Sequence, residues 1–161
     1  MRFLFLLLLP LLACSRSSPW AFSQVHSERE EFRSTKLTYA SHSPVNGIDL
    51  ELLKTQERLT AFLNIHSIPI PPGREDPKRA MLFLTIDGKK SEHAVYRLDG
   101  GQRFVLDEET TTLLIEALKE KQDVALSLSS YRTLLKPEGF GPGFERLNHP
   151  FPLENPFRLP L

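Results

Sequence analysis

The side chains able to carry chemistry are few and scattered. Five histidines, His26, His42, His66, His93 and His149, lie along the 161 residues without the short spacings that gather metal ligands. His66 and His93 stand where adjacent strands would bring them together, but the simple reading of each is a surface or hydrogen-bonded strand histidine. Ser127, Ser129 and Ser130 close an alternating apolar run, so a serine beside His66 is the one nucleophile–base pair worth testing. Alternation places Ser127 and Ser129 opposite Val124, Leu126 and Leu128, on the solvent face of a half-buried strand. Glu92, Asp99, Asp107 and Glu138 offer carboxylates for acid or base work, yet turns and a helix cap account for both aspartates. No Gly-X-Ser-X-Gly, His-Glu-X-X-His or phosphate-loop pattern occurs. Gly139, Gly141 and Gly143 hint at a phosphate cradle, but Pro142 deletes an amide donor and no helical pattern follows. The expectation is that there is no catalytic or metal site.

The elements that would position these residues show period-two patterning. Ile48, Leu50 and Leu52 alternate with polar neighbours, and Leu59–Ile65 continues as a second strand after a turn at Thr55-Gln56-Glu57. Residues 68–77 hold four prolines and read as a surface loop. Residues 80–86 are apolar on both faces, as in a central strand, and Asp87-Gly88 supplies a tight hairpin signal. Ala94, Tyr96 and Leu98 alternate on the next strand, and Asp99-Gly100-Gly101 turns into residues 103–106. One helix follows: Asp107 caps it, Glu108 and Glu109 suit its positive end, Lys119 and Lys121 suit its negative end, and Leu113, Leu114, Ala117 and Leu118 form its apolar face. Val124, Leu126 and Leu128 make a last strand. The pattern predicts an α+β domain over residues 45–136, a small twisted antiparallel sheet of about six strands with one helix packed across it. A β-sandwich carrying one helix is the alternative.

Both flanks differ in composition. Residues 15–44 are polar and Ser-rich without sustained periodicity, so residues 14–44 read as a flexible tether with an r.m.s. reach of roughly 30 Å. Trp20 and Phe22 either rest at a membrane interface or have no role there; Phe32–Tyr39 is β-rich, a candidate start for the fold. The tail, residues 137–161, holds six Pro and four Phe. Either Phe140, Phe144, Phe151 and Phe157 plug gaps along the body, or they form a Pro-rich strap that binds a partner. Basic pairs Lys78-Arg79 and Lys89-Lys90, with Arg97 and Arg103, either keep sheet ends solvated or meet anionic lipid or wall polymer.

Twenty basic and 20 acidic side chains cancel, so no global field draws the chain to nucleic acid. One Cys excludes an intrachain disulfide framework or a multi-Cys zinc module. Residues 1–14 have one positive charge, an apolar run from Phe3 to Leu12, then Ala13-Cys14. That run is too short for the ~20 apolar residues a membrane-spanning helix needs, and has the shape of a signal peptide. Leu11-Leu12-Ala13-Cys14 resembles the lipobox of bacterial lipoproteins. Leu11 and Ala13 fit that pattern, while Leu12 stands where a smaller residue is commoner.

The resemblance implies cleavage after residue 13 and a diacylglycerol with an N-acyl chain on Cys14, the only lipid or cofactor expected. Ser15, where inner-membrane retention would place Asp, implies an outer-membrane location facing the periplasm; secretion without an anchor is the alternative. The expected function is a non-enzymatic binding or structural module whose sheet face or Pro/Phe tail meets an envelope protein or wall polymer. An envelope hydrolase and a carrier of an apolar ligand are the alternatives. Beyond residues 1–14 no family is recognised.

Overall fold

The computed structural model describes residues 18–25, 27–29 and 32–149. Cys14, Phe151 and Phe157 lie outside them. Chain order is β1 (Trp20–Val25), β2 (Ser34–Tyr39), β3 (Ile48–Lys54), β4 (Leu59–Ile65), β5 (Arg79–Ile86), β6 (Lys89–Arg97), β7 (Arg103–Val105), α1 (Glu108–Lys119), β8 (Val124–Leu128), β9 (Tyr131–Leu135) and α2 (Phe140–Asn148). All nine strands form one antiparallel sheet in the order β1-β2-β3-β4-β7-β6-β5-β8-β9. The sheet-dominated α+β class agrees with the patterning; among the described residues, nine strands and two helices replace the expected six or so strands and one helix. A single sheet also replaces the two-sheet sandwich.

Three strands account for the difference. β1 and β2 fall in the segment expected to be a flexible tether, and they pair from Trp20↔Tyr39 to Val25↔Ser34. Inward-pointing Trp20, Leu37 and Tyr39 are buried, so this hairpin belongs to the core. Its alternation is short, and only its neighbours β3 and α2 complete the burial that makes it stable. β9 follows β8 through a tight turn in which Ser129 takes φ 55°.

One sheet face is filled. Leu37, Leu50, Leu63, Phe104, Val95, Leu82 and Leu126 present successive strands to it, and each is at most 1% exposed. α1 packs there as its pattern requires: Leu114, Ala117 and Leu118 are buried, and Asp107 Oδ1 accepts the Thr110 N–H at 2.8 Å. Asp87 and Gly88 take φ 49° and 73°, the left-handed pair that a two-residue hairpin turn needs.

The sheet does not end in a bare edge at β9. Successive residues of β9 meet successive strands of the other half. The Trp20 indole N–H donates to the Lys136 carbonyl (2.8 Å), the Tyr39 hydroxyl to the Leu134 carbonyl (2.9 Å), and the Ile48 N–H to Thr133 Oγ1 (2.9 Å). The Tyr131 hydroxyl meets the backbone of Ile68, just past β4. β9 therefore runs across the ends of β1 to β4 and covers groups that an edge strand would leave open.

The tail corrects a second expectation, since residues 140–148 form a helix. Gly139 starts it at φ 84°, and Pro142 occupies its first turn, where amide N–H groups have no intrahelical partner to lose. Gly143 is required by proximity: a Cβ there would stand 2.7 Å from Leu37 Cδ1.

Candidate functional site

β5 carries apolar residues on both faces, and on the outer face of its neighbourhood Met81 and Tyr96 remain exposed. Register places Phe62, Val105, Tyr96 and Arg79 in one row across β4, β7, β6 and β5. Met81 pairs with Ala94 one step along, and Phe83 with Glu92 the step after. Tyr96 is 49% and Met81 46% exposed. A cation lies against each aromatic ring: Arg103 at 4.1 Å from the Phe62 centroid, Arg79 at 5.1 Å from Tyr96 and Lys90 at 4.0 Å from Phe83. Such pairs hold a cation over an apolar platform without removing it from water.

Other charges set the limits of this stripe. Glu51 accepts from Arg103 at 2.7 Å and approaches Lys36 at 3.7 Å, so Arg103 is neutralised on one side. Arg79 Nη2 donates to the Tyr96 hydroxyl at 3.2 Å, while its Nε lies 3.4 Å from Asp76. The basic pairs fall at opposite ends of β5: Lys78-Arg79 where it starts, and Lys89-Lys90 just past its end, at the start of β6. Arg97 does not join them, because its Nε donates to the Ile70 carbonyl at 3.0 Å.

His93 lies on the filled face of β6. Its Nε2 is 2.8 Å from Ser91 Oγ and its Nδ1 is 3.0 Å from Thr110 Oγ1, in the first turn of α1. Sequence reasoning paired His66 with the β8 serines and missed Ser91. The signal was available, because Ser91 and His93 are two apart on one strand and so share a face. A Ser–His pair is the geometry of nucleophilic activation, but the group beyond the imidazole here is a hydroxyl, where that chemistry uses a carboxylate. Asp107, the nearby carboxylate, is committed to the Thr110 N–H, whose hydrogen bonds hold its pKa below the usual carboxylate value. The cluster pins β6 to the start of α1.

The remaining expectations resolve individually. His66 and His93 do not converge: β7 separates β4 from β6, and His66 Nε2 lies 3.0 Å from Asp49. Ser127 faces outward beside Phe83 and Arg132, and Ser129 is in the β8–β9 turn. Among the described residues no three His, Cys, Asp or Glu side chains are grouped to hold a metal ion. Phe140 is not a partner surface, because it is fully buried edge-on to Trp20 at 4.8 Å. Phe144 is half-buried, 5.4 Å from Phe140 and with Lys119 4.6 Å from its centroid. The space between sheet and helices is taken by side chains such as Phe104, Leu114 and Phe140.

In comparisons with known proteins, no family model matches the chain, and no curated protein and no solved structure matches it.

Proposed function

We propose that this chain is a lipid-anchored envelope lipoprotein whose body is a non-enzymatic binding module. The acyl chains on Cys14 fix its location, in the outer membrane and facing the periplasm. The outer face of β4, β7, β6 and β5 then meets an envelope protein or wall polymer. The observation that carries this reading is an outer stripe in which exposed Tyr96 and Met81 lie beside partly buried Phe62 and Phe83, with Arg103, Arg79 and Lys90 against its rings. Contiguous apolar surface rimmed by charge marks interaction sites, and cations over aromatic rings suit a partner that pairs CH surface with anionic groups.

The test uses the chain from residue 15 onward, incubated with isolated wall sacculi and, separately, with a solubilised envelope fraction under crosslinking. The double variant Phe83→Ala/Tyr96→Ala removes one partly buried and one half-exposed ring, and a cooperative melt recorded alongside should show that the fold is retained. Capture of one of these two partners should fall about tenfold or more, the equivalent of one lost contact of ~1.4 kcal/mol. Capture equal to that of the unaltered protein would refute this use of the face.

The Ser91–His93 contact at 2.8 Å favours one second reading, an envelope hydrolase. Covalent labelling by a fluorophosphonate probe that Ser91→Ala abolishes would establish it.

A further inference from the structure

The point at which the fold begins fixes how far the body can stand from an anchor. Ser18 is already held in place: its Oγ accepts the Trp20 N–H at 3.1 Å, and a Cβ on Gly139 would stand 2.1 Å from that oxygen. Four residue steps separate Cys14 from Ser18. At ~3.3–3.6 Å per residue they span at most ~14 Å, in place of the roughly 30 Å of a thirty-residue tether. Ser18 marks one corner of the molecule, where the start of β1, the end of β9 and the start of α2 meet. The Trp20–Lys136 hydrogen bond brings the end of β9 to this corner, and from there the register Leu135↔Val124, Val124↔Ile86, Ile86↔Lys89 runs across β8 and β5 to the β5–β6 hairpin. Three strand spacings of ~4.8 Å put Lys89 about 14 Å from Leu135.

Resting on the lipid-anchor reading, we propose that this end of the body, bearing Lys89, Lys90 and Lys121, seats directly on the phospholipid headgroups of the membrane that holds Cys14. The three lysines are exposed, and a shallow depression of about 460 Å³ lined by Thr85, Asp87, Lys121, Gln122, Asp123 and Leu134 opens beside Lys121. Asp123 is paired with Lys136. Exposed Asp87, Glu120 and Glu138 share this end and keep its net charge small. The short covalent reach therefore brings the end to the bilayer, and the lysines act on phosphates only within a Debye length of ~8 Å. Seating in this way takes up Lys90 at the Phe83 end of the outer stripe and leaves Phe62, Tyr96 and Met81 to meet a partner beside the membrane.

The experiment uses the full lipidated chain in vesicles of phosphatidylcholine and phosphatidylglycerol containing a headgroup nitroxide. A fluorophore is placed either at Glu120→Cys, at the lysine end, or at Asp99→Cys, in the β6–β7 turn, about ten residues or ~33 Å along β6 from Lys89. Both positions are exposed. The expected result is quenching several-fold stronger at 120 than at 99, and weaker at 120 in Lys89→Glu/Lys90→Glu/Lys121→Glu. Equal quenching at the two positions with full co-flotation would overturn the seating while leaving the anchor intact. Quenching at 120 unchanged by the triple variant would overturn the role of the lysines. Failure of the chain to float with vesicles would remove the anchor, and the seating with it.

Discussion

Replacing Phe140 by Ala tests whether the Pro-rich tail is part of the core. The ring is fully buried, edge-on to Trp20 at 4.8 Å and tilted against Phe144 at 5.4 Å. Phe→Ala in a packed core costs about 3–5 kcal/mol, the upper part applying where the site does not collapse. β1, β2 and α2 confine this site, and the Trp20 indole is tied to the Lys136 carbonyl, so little relaxation is available. With unfolding entropy of ~2.1 cal/mol/K per residue over roughly 130 residues, the melting temperature should fall by about 11–18 °C. Trp20 is the sole tryptophan and 6% exposed, so its fluorescence reports the transition during urea unfolding. A loss below ~1 kcal/mol, within the range of surface substitutions, would refute the reasoning that this tail belongs to the core.

Asp107→Ala should destabilise by about 0.5–2 kcal/mol through loss of the α1 cap, measured by urea titration at neutral pH. Because hydrogen bonds from Thr110 lower the Asp107 pKa, its contribution is full above the unfolded carboxylate value of ~3.9. It is lost as pH falls through the depressed folded value, so wild type and variant should converge in acid. Tyr39→Phe removes the hydroxyl donated to Leu134 and should cost about 0.5–1.5 kcal/mol near neutrality. Burial raises the Tyr39 pKa, so its stabilisation is complete below the unfolded value of ~10 and declines as pH rises through the folded one; the variant should lack that part of the alkaline decline.

The body from Ile48 to Leu128 was legible because most strands there show period-two patterning, β5 is apolar on both faces as a central strand is, and turn residues separate the strands. Asp107 as cap and Asp87-Gly88 as turn act through local geometry, and neighbouring residues suffice to specify them. β1 was not legible and β2 showed only as the β-rich stretch Phe32–Tyr39, since a six-residue alternation in a Ser-rich segment means little until β3 and α2 supply its burial. α2 was hidden by Pro142, whose penalty disappears in a first helical turn, and by Gly143, which is there for Leu37 and not for the helix. The outer stripe was half visible. Apolar residues on both faces of β5 imply two coverings, but only the register reveals that Phe62, Tyr96 and Phe83 share the outer face.

The lipid anchor carries the proposed function, and the mass of the N-terminal peptide of the protein isolated from its native host tests it directly. The anchor predicts a mature chain beginning at Cys14 and carrying diacylglycerol with an N-acyl chain. An unmodified terminus cut at another position would contradict it and make this a secreted protein without an anchor.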